Sequence, residues 1–314
     1  DGTYTATVAV TDDDGGTGTA TFEVVVGNSD PVVDAGGDSG ASEGATADLN
    51  ATFTDAGAGD THTATVDWGD GTVDTVPATG GQVNAGHAYA DDGTYTVKVT
   101  VLDGSGMGMD TKVVTVTNVD PTVDTSLSGT PEGDLITMTG TITDPGSADT
   151  HTAVIDWGDG TSTAGVVNGL NVTGSHAYAE DGNYVVTTTV TDDDGGVGMD
   201  TATTTIDNAA PLVNAGPDAA VLDRQAVPLT ATFTDKGIGD THISSIDWGD
   251  GTVEPGSLTQ GAGSGQVAAQ HVYASPGTYI VTVTITDDEA PTLQSGCEDV
   301  GGTTDDGKPY GTVG

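Results

Sequence analysis

The sequence predicts an all-β protein, a tandem array of antiparallel β-sandwiches, and three observations carry the prediction. First, "HTATVDWGDGT" at 62–72 returns as "HTAVIDWGDGT" at 151–161 and "HISSIDWGDGT" at 242–252, so that Trp68, Trp157 and Trp248 lie 89 and 91 residues apart. Second, apolar and polar residues alternate in "YTATVAV" (4–10), "YTVKVTV" (95–101), "YVVTTTV" (184–190) and "YIVTVTI" (279–285), the period-2 signature of half-buried strands. Third, Gly/Asp turns recur roughly every 8 to 12 residues, giving about seven strands per unit, as in a two-sheet sandwich. A propeller blade would repeat at about half this interval.

Two further marks keep the same phase. "HAYADDGTYTVKVTV" at 87–101 returns at 176–190 and 271–285, and "TFTDAGAGDTH" at 52–62 returns at 141–151 and 232–242. Residues 1–27 supply only the last two strands of a preceding or donated unit. Complete units are read at 28–117 and 118–207, and a third at 208–289. The joints "GNSDP", "TNVDP" and "DNAAP" are short, with Pro suited to the start of an edge strand, and short joints predict a stiff rod. After "ITDDE" the third unit lacks an obvious closing strand, and residues 290–314, with Cys297, form an irregular Gly/Asp-rich tail. Two readings of the ends stay open: a window of a longer repeat protein, or a donor-strand polymer in which the first strands of one copy complete the last unit of the next.

The formal net charge is −43, from 5 Lys+Arg against 48 Asp+Glu. Nothing in such a chain neutralises phosphates, which argues against nucleic acid or an anionic membrane as partner, and no stretch approaches the length of a membrane span. Hydrophobic residues make up 34% and alternate, so the chain folds despite its acidity, with salt or bound cations screening the charge.

The combination "VDWGDGT", His-x-Tyr and "DGTYTVKVTV" resembles the PKD (polycystic kidney disease) repeat, an immunoglobulin-like β-sandwich of bacterial and archaeal surface proteins and of polycystin ectodomains. The resemblance covers 28 to about 289. It implies that the Trp fills the core from strand C, that Gly-Asp-Gly makes the following turn, and that Tyr95, Tyr184 and Tyr279 sit where a tyrosine corner belongs.

In such a sandwich the incoming linker, B–C loop and F–G loop share one pole. In the second unit this gathers Asn118, Asp120, Asp144, Asp149 and Asp192 to Asp194, to face Glu43, Asp91 and Asp92 at the outgoing pole of the first. Two carboxylates about 4 Å apart repel by ~4 kcal/mol at an effective dielectric near 20, and Ca2+ relieves this with six to eight oxygen ligands. The resemblance implies calcium ligands at Asn28, Asp55 and Asp60, at Asn118, Asp144 and Asp149, and at Asn208, Asp235 and Asp240, joined by Asp67, Asp156 and Asp247 before each Trp. The other reading is a solvated acidic surface. "GGVGMD" (195–200) and the "DDDGG" runs are read as turns, since the former lacks tandem nonapeptides and the latter lack the Glu and helices of an EF-hand.

Catalysis finds no motif: the six histidines recur two per unit in register, a zinc site would need more ligands than His62 and His87 provide, and no G-x-S-x-G is present. The predicted function is a non-enzymatic extracellular rod or filament subunit of a microbial surface, stiffened by calcium at domain junctions, with copies of itself or further PKD-like units as partners. The alternative is an adhesin recognising glycan or protein through exposed loops such as 253–266. Asn50 and Asn171 open acceptor sequons for attached glycan.

Overall fold

The structure is a computed structural model that describes residues 1–57, 59–222 and 224–288. The irregular tail expected at 290–314, with Cys297, lies outside the described residues. Every element is a strand. No described helix is long and apolar enough to cross a membrane. By contact density the chain falls into two compact units: Asp1–Thr122 with Thr143–His151 and Thr191–Gly198, and Val123–Ile142 with Thr152–Val190 and the residues from Met199 onward.

A hairpin of β1 (Gly2–Thr11) and β2 (Thr17–Val26) opens the chain. Its apolar side chains are exposed, Val10 by 69% and Phe22 by 57%, so the alternation that predicted half-buried strands here is not matched by burial.

The first repeat contains β3 (Val32–Asp34), β4 (Ser39–Ser42), β5 (Thr46–Thr54), β6 (His62–Asp67), β7 (Val73–Thr79), β8 (Gln82–Ala88), β9 (Gly93–Leu102) and β10 (Met107–Thr117). Their order is β3-β5-β8-β7-β6-β9-β10-β4. The two layers join through β7, which pairs with β6 along its length and with β8 at Ala78 and Thr79. Strict alternation in β5, Thr46 to Thr54, buries every second residue, because successive side chains leave a strand on opposite faces. Leu49, Val66, Val83, Val97 and Val99 meet there around Trp68.

In the second repeat β11 (Thr122–Leu127), β12 (Leu135–Thr143), β13 (His151–Asp156), β14 (Ser162–Asn168), β15 (Asn171–Ala177), β16 (Gly182–Asp192) and β17 (Val197–Ile206) follow the order β11-β12-β15-β14-β13-β16-β17. Of "GGVGMD", Gly195 and Gly196 lie in the β16–β17 turn, whereas Val197 to Asp200 open β17. The third repeat has β18 (Leu212–Asn214), β19 (Ala226–Thr234), β20 (His242–Asp247), β21 (Val253–Glu254), β22 (Ser257–Gly261), β23 (Ser264–Val272) and β24 (Thr282–Asp287). They form two separate sheets, β18-β19-β23-β22 and β21-β20-β24.

Residues 253–266, expected as an exposed loop, are instead β21, β22 and the start of β23. The strand that bridges both layers in the other repeats is broken here at Pro255-Gly256. The described residues leave a cleft of about 490 Å3, lined by Pro217, Val221, Leu229, Trp248 and Tyr279. In the first repeat β4 pairs parallel with β10 next to β9; no described strand takes that place in the third.

Candidate cation sites at the repeat joints

The recurring Asp-Trp-Gly-Asp-Gly stretch sends its Trp into the core and leaves its Gly-Asp-Gly turn exposed. Trp68, Trp157 and Trp248 are at most 1% exposed. The next repeat mark supplies their neighbours: His87 stacks on Trp68 at 5.0 Å, Tyr89 meets His87 edge-on at 4.7 Å, and Tyr95 stacks on Tyr89 at 4.1 Å. The same four-ring ladder runs from Trp157 through His176 and Tyr178 to Tyr184, and from Trp248 through His271 and Tyr273 to Tyr279. Ring pairs in such offset and edge geometries gain beyond their buried area.

Asp70 closes the turn, accepting from the Thr72 N–H and hydroxyl and pairing with His87. Gly69 holds φ at 85°, and a Cβ there would lie 2.7 Å from the Thr96 carbonyl oxygen. Tyr95 donates to the carbonyls of Asp91 and Asp92, and Tyr184 to those of Glu180 and Asp181, the backbone contacts of a tyrosine corner.

The other three histidines brace the loops between β5 and β6, β12 and β13, and β19 and β20. His62, His151 and His242 pair with Asp55, Asp144 and Asp235 at 2.7, 2.8 and 2.9 Å. The second oxygen of each aspartate accepts the N–H of Gly57, Gly146 or Gly237. All six histidines therefore have aspartate partners.

Much of the predicted ligand set does converge. Oxygens of Asp55, Asp60 and Asp103 lie within 4.8 Å of one another, as do those of Asp144, Asp149 and Asp192. Asn28 donates to Asp103 at 2.9 Å and Asn118 to Asp192 at 3.1 Å. Asp67, Asp156 and Asp247 are not brought in. Each accepts the N–H of the glycine two residues on and sits at the far end of a six-residue strand from the loop histidine, roughly 16 Å away at the rise of a β-strand. Asp103 was missed, although Asp103, Asp192 and Asp287 all close the repeated alternating run. Asn50, within β5, and Asn171, opening β15, are exposed.

The two joints share one design, the first lying within one compact unit and the second within the other. Glu43 is 1% exposed and accepts the N–H of Val119 in the following linker at 2.7 Å. Glu132 is fully buried and accepts the Ala209 N–H at 2.8 Å. The Ala90 carbonyl accepts from the Ala148 N–H at 3.0 Å and the Ala179 carbonyl from the Gly239 N–H at 3.2 Å. Gly44 and Gly133, both at φ 68°, let the backbone of Pro145 or Lys236 approach. The corresponding position of the third repeat, five residues before Leu229 as Gly44 is before Leu49, is Arg224, which keeps φ at 60°. Lys236 also reaches both oxygens of Asp134 at 2.8 Å across the second joint.

These joints concentrate carboxylates. Glu43, Asp91 and Asp149 form one cluster and Glu132, Asp235 and Asp240 another, with ligand oxygens again within 4.8 Å. Burial, resisted by the Ala209 N–H and reinforced by Asp240, Asp181 and Asp235, pushes the Glu132 carboxyl up to about 7. Asp149 is pushed to about 7 by burial and by Glu43, Asp144 and Asp91, and Asp240 to about 6 by burial and by Asp235 and Glu180. Glu43 is raised by burial against the Val119 N–H. A group shifted this way gains from a nearby positive charge.

Repeated antiparallel sandwiches, each centred on one buried Trp, define an immunoglobulin-like repeat protein. The PKD domain family profile matches residues 28–117, 118–207 and 208–296, and the chain belongs to that family. No curated protein sequence matched. Among solved structures, the PKD domain of an M14-like peptidase from Thermoplasmatales archaeon SCGC AB-540-F20 is similar at 26% identity, covering 29% of this chain and 98% of its own, with a TM-score of 0.26. The PKD1 domain of Vibrio anguillarum Epp is 24% identical over 29% of this chain and 99% of its own, TM-score 0.24. A tetra-tandem repeat in the extending region of a large adhesion protein is 19% identical over 91% of this chain and 77% of its own, TM-score 0.46.

Proposed function

We propose that this chain is a non-catalytic structural array of PKD domains at an extracellular surface, whose joints are held by calcium. The observation that carries the reading is the repetition of the joint itself: Glu43 to Val119 and Ala90 to Ala148 recur as Glu132 to Ala209 and Ala179 to Gly239. Joints made of loose linkers have no reason to repeat the same hydrogen bonds, because relative motion of domains is the default where few contacts cross. Calcium fits the donor set, which is carboxylate and carboxamide oxygen. Its ligands would be Asn28, Asp55, Asp60 and Asp103 in the first repeat and Asn118, Asp144, Asp149 and Asp192 in the second, with affinity of about 10⁻⁴–10⁻³ M expected for an extracellular module. A glycan-binding role is less well supported, since all three tryptophans are buried and carbohydrate platforms need exposed rings.

The test is orientation in solution. Residual dipolar couplings of the chain in millimolar calcium should give the repeats a common alignment tensor. Independent tensors with calcium present would overturn the reading.

A second reading concerns the hairpin. β2 aligns with β10 so that Phe22, Val24 and Val26 fall on Lys112, Val114 and Val116. Val114 and Val116 are 2% exposed, whereas Val24 and Val26 are 39% and 46% exposed. Among the described residues no strand pairs with β24 on the side away from β20, and the third repeat has a cleft lined by Leu229, Trp248 and Tyr279. A second copy donating β2 would bury both surfaces, the exposed edge supplying backbone partners. Purified chain should then form filaments visible by electron microscopy that deletion of residues 1–26 abolishes. Filaments that survive the deletion, or none from the intact chain, would overturn it.

A further inference from the structure

Glu132 belongs to the second repeat, yet its side chain turns into the acidic loop of the third. One oxygen takes the Ala209 N–H, and Oε2 has no hydrogen-bond partner although it is buried. Asp240 of the third repeat is 5% exposed, and neither of its carboxylate oxygens has a partner. With Asp235 they bring three ligand oxygens within 4.8 Å of one another, about the span of two oxygens on one Ca2+ at 2.3–2.6 Å each. The first joint repeats the pattern: Glu43 Oε2 and both oxygens of Asp149 are buried without partners, and Asp91 completes the group. A buried unpaired carboxylate is among the most costly features a fold can hold, so its return at a second joint calls for a positive partner.

We propose that each joint holds one hard divalent cation shared between consecutive repeats, bound by Glu132, Asp235 and Asp240 at the second joint and by Glu43, Asp91 and Asp149 at the first. This rests on the calcium reading above and adds to it that the glutamate of the preceding repeat is a ligand. The donors are all oxygen, which selects a Ca2+-like ion, and the loose arrangement suits Ca2+ better than the near-ideal octahedron Mg2+ demands. Asp240 and Asp149 each offer two free oxygens, and water supplies the remaining positions. Because the site is complete only when the neighbouring repeat is docked, cation binding and joint closure favour each other reciprocally.

The experiment uses the full chain and calcium alone as probe. Isothermal titration compares the native protein with Glu132→Gln, Glu43→Gln, the double variant, and Asp48→Asn, which removes an exposed charge within β5. Glutamine keeps an oxygen for the linker N–H and loses the anion. Each single variant should weaken one site by about tenfold or more, within the usual range of coupled sites, the double variant should weaken two, and Asp48→Asn should match the native protein.

Melting temperature supplies a readout that a merely structural role would not reverse. In chelator Glu132→Gln should melt no lower than the native protein, because it relieves a buried charge, and in calcium it should melt lower. Native-like binding by the glutamine variants, or lower melting in both conditions, would overturn the shared site while leaving calcium binding intact. No binding by the native protein at millimolar calcium would overturn both.

Discussion

The Tyr178 hydroxyl donates to the backbone carbonyl of Trp157 across 2.8 Å, with both residues at most 1% exposed. Tyr89 and Trp68 make the same bond at 3.0 Å, and Tyr273 and Trp248 at 2.9 Å. The bond fixes the end of the Trp strand to the strand carrying the His-x-Tyr mark, and the ring ladder fills the space between. Removing the donor strands a buried acceptor, which costs about 1–3 kcal/mol. Tyr178→Phe should lower the stability of the second repeat by that amount in urea unfolding. Tyr184→Phe, whose acceptors lie in a turn, should cost less.

Gly133→Ala tests the joint rather than a core. At φ 68° an added Cβ would lie 2.6 Å from the Lys236 carbonyl oxygen, so the approach of the third repeat's loop must give way. Gly160 has φ 89° and nothing within 4 Å of a built Cβ, so Gly160→Ala carries only the backbone penalty, about 1–2 kcal/mol. Limited proteolysis should therefore cut Gly133→Ala faster near residues 207–211, and Gly160→Ala at the native rate. Equal rates would show that the joint tolerates the intrusion.

Asp200 sets an acid limit. Its carboxylate accepts the Thr125 N–H at 2.7 Å, and the Thr125 and Thr201 N–H groups hold its pKa below the usual carboxylate range. A lowered folded-state pKa gives stability that is present above the unfolded value, about 3.9, and is lost as pH falls through the folded value. Asp200→Asn keeps an acceptor and removes the charge. It should melt below the native protein at pH 7, and the difference should close as pH falls through the folded value. Asp110, which accepts the Ala35 N–H in the first repeat, should behave alike.

Calcium removal separates a bound ion from general screening. At low salt, chelator should lower the melting temperature of a chain carrying a net charge of −43. Sodium chloride screens surface charge over about 10 Å at 0.1 M and should restore part of the loss. Millimolar calcium should restore more than sodium chloride at equal ionic strength. Identical recovery would favour a solvated acidic surface.

The strands, turns and core tryptophans of this protein were legible in its sequence because each is encoded by neighbours: alternation assigns a side chain to a face, and Gly-Asp-Gly supplies its own turn. The histidines, too, announced a role in the fold by their register. The acids of the first joint were legible in part, since Glu43, Asp91 and Asp149 meet as the facing poles predicted, but which further acids join or stay apart was not. Asp67, next to Trp68, is carried to the far end of its strand, whereas Glu132 and Asp240 converge from distant positions in the chain. Alternation hid the fate of the hairpin as well, since period 2 gives a strand an apolar face but not the sheet to cover it. Local pattern fixes where a side chain points from its own backbone; only the packing of loops from successive repeats decides which carboxylates share a buried space.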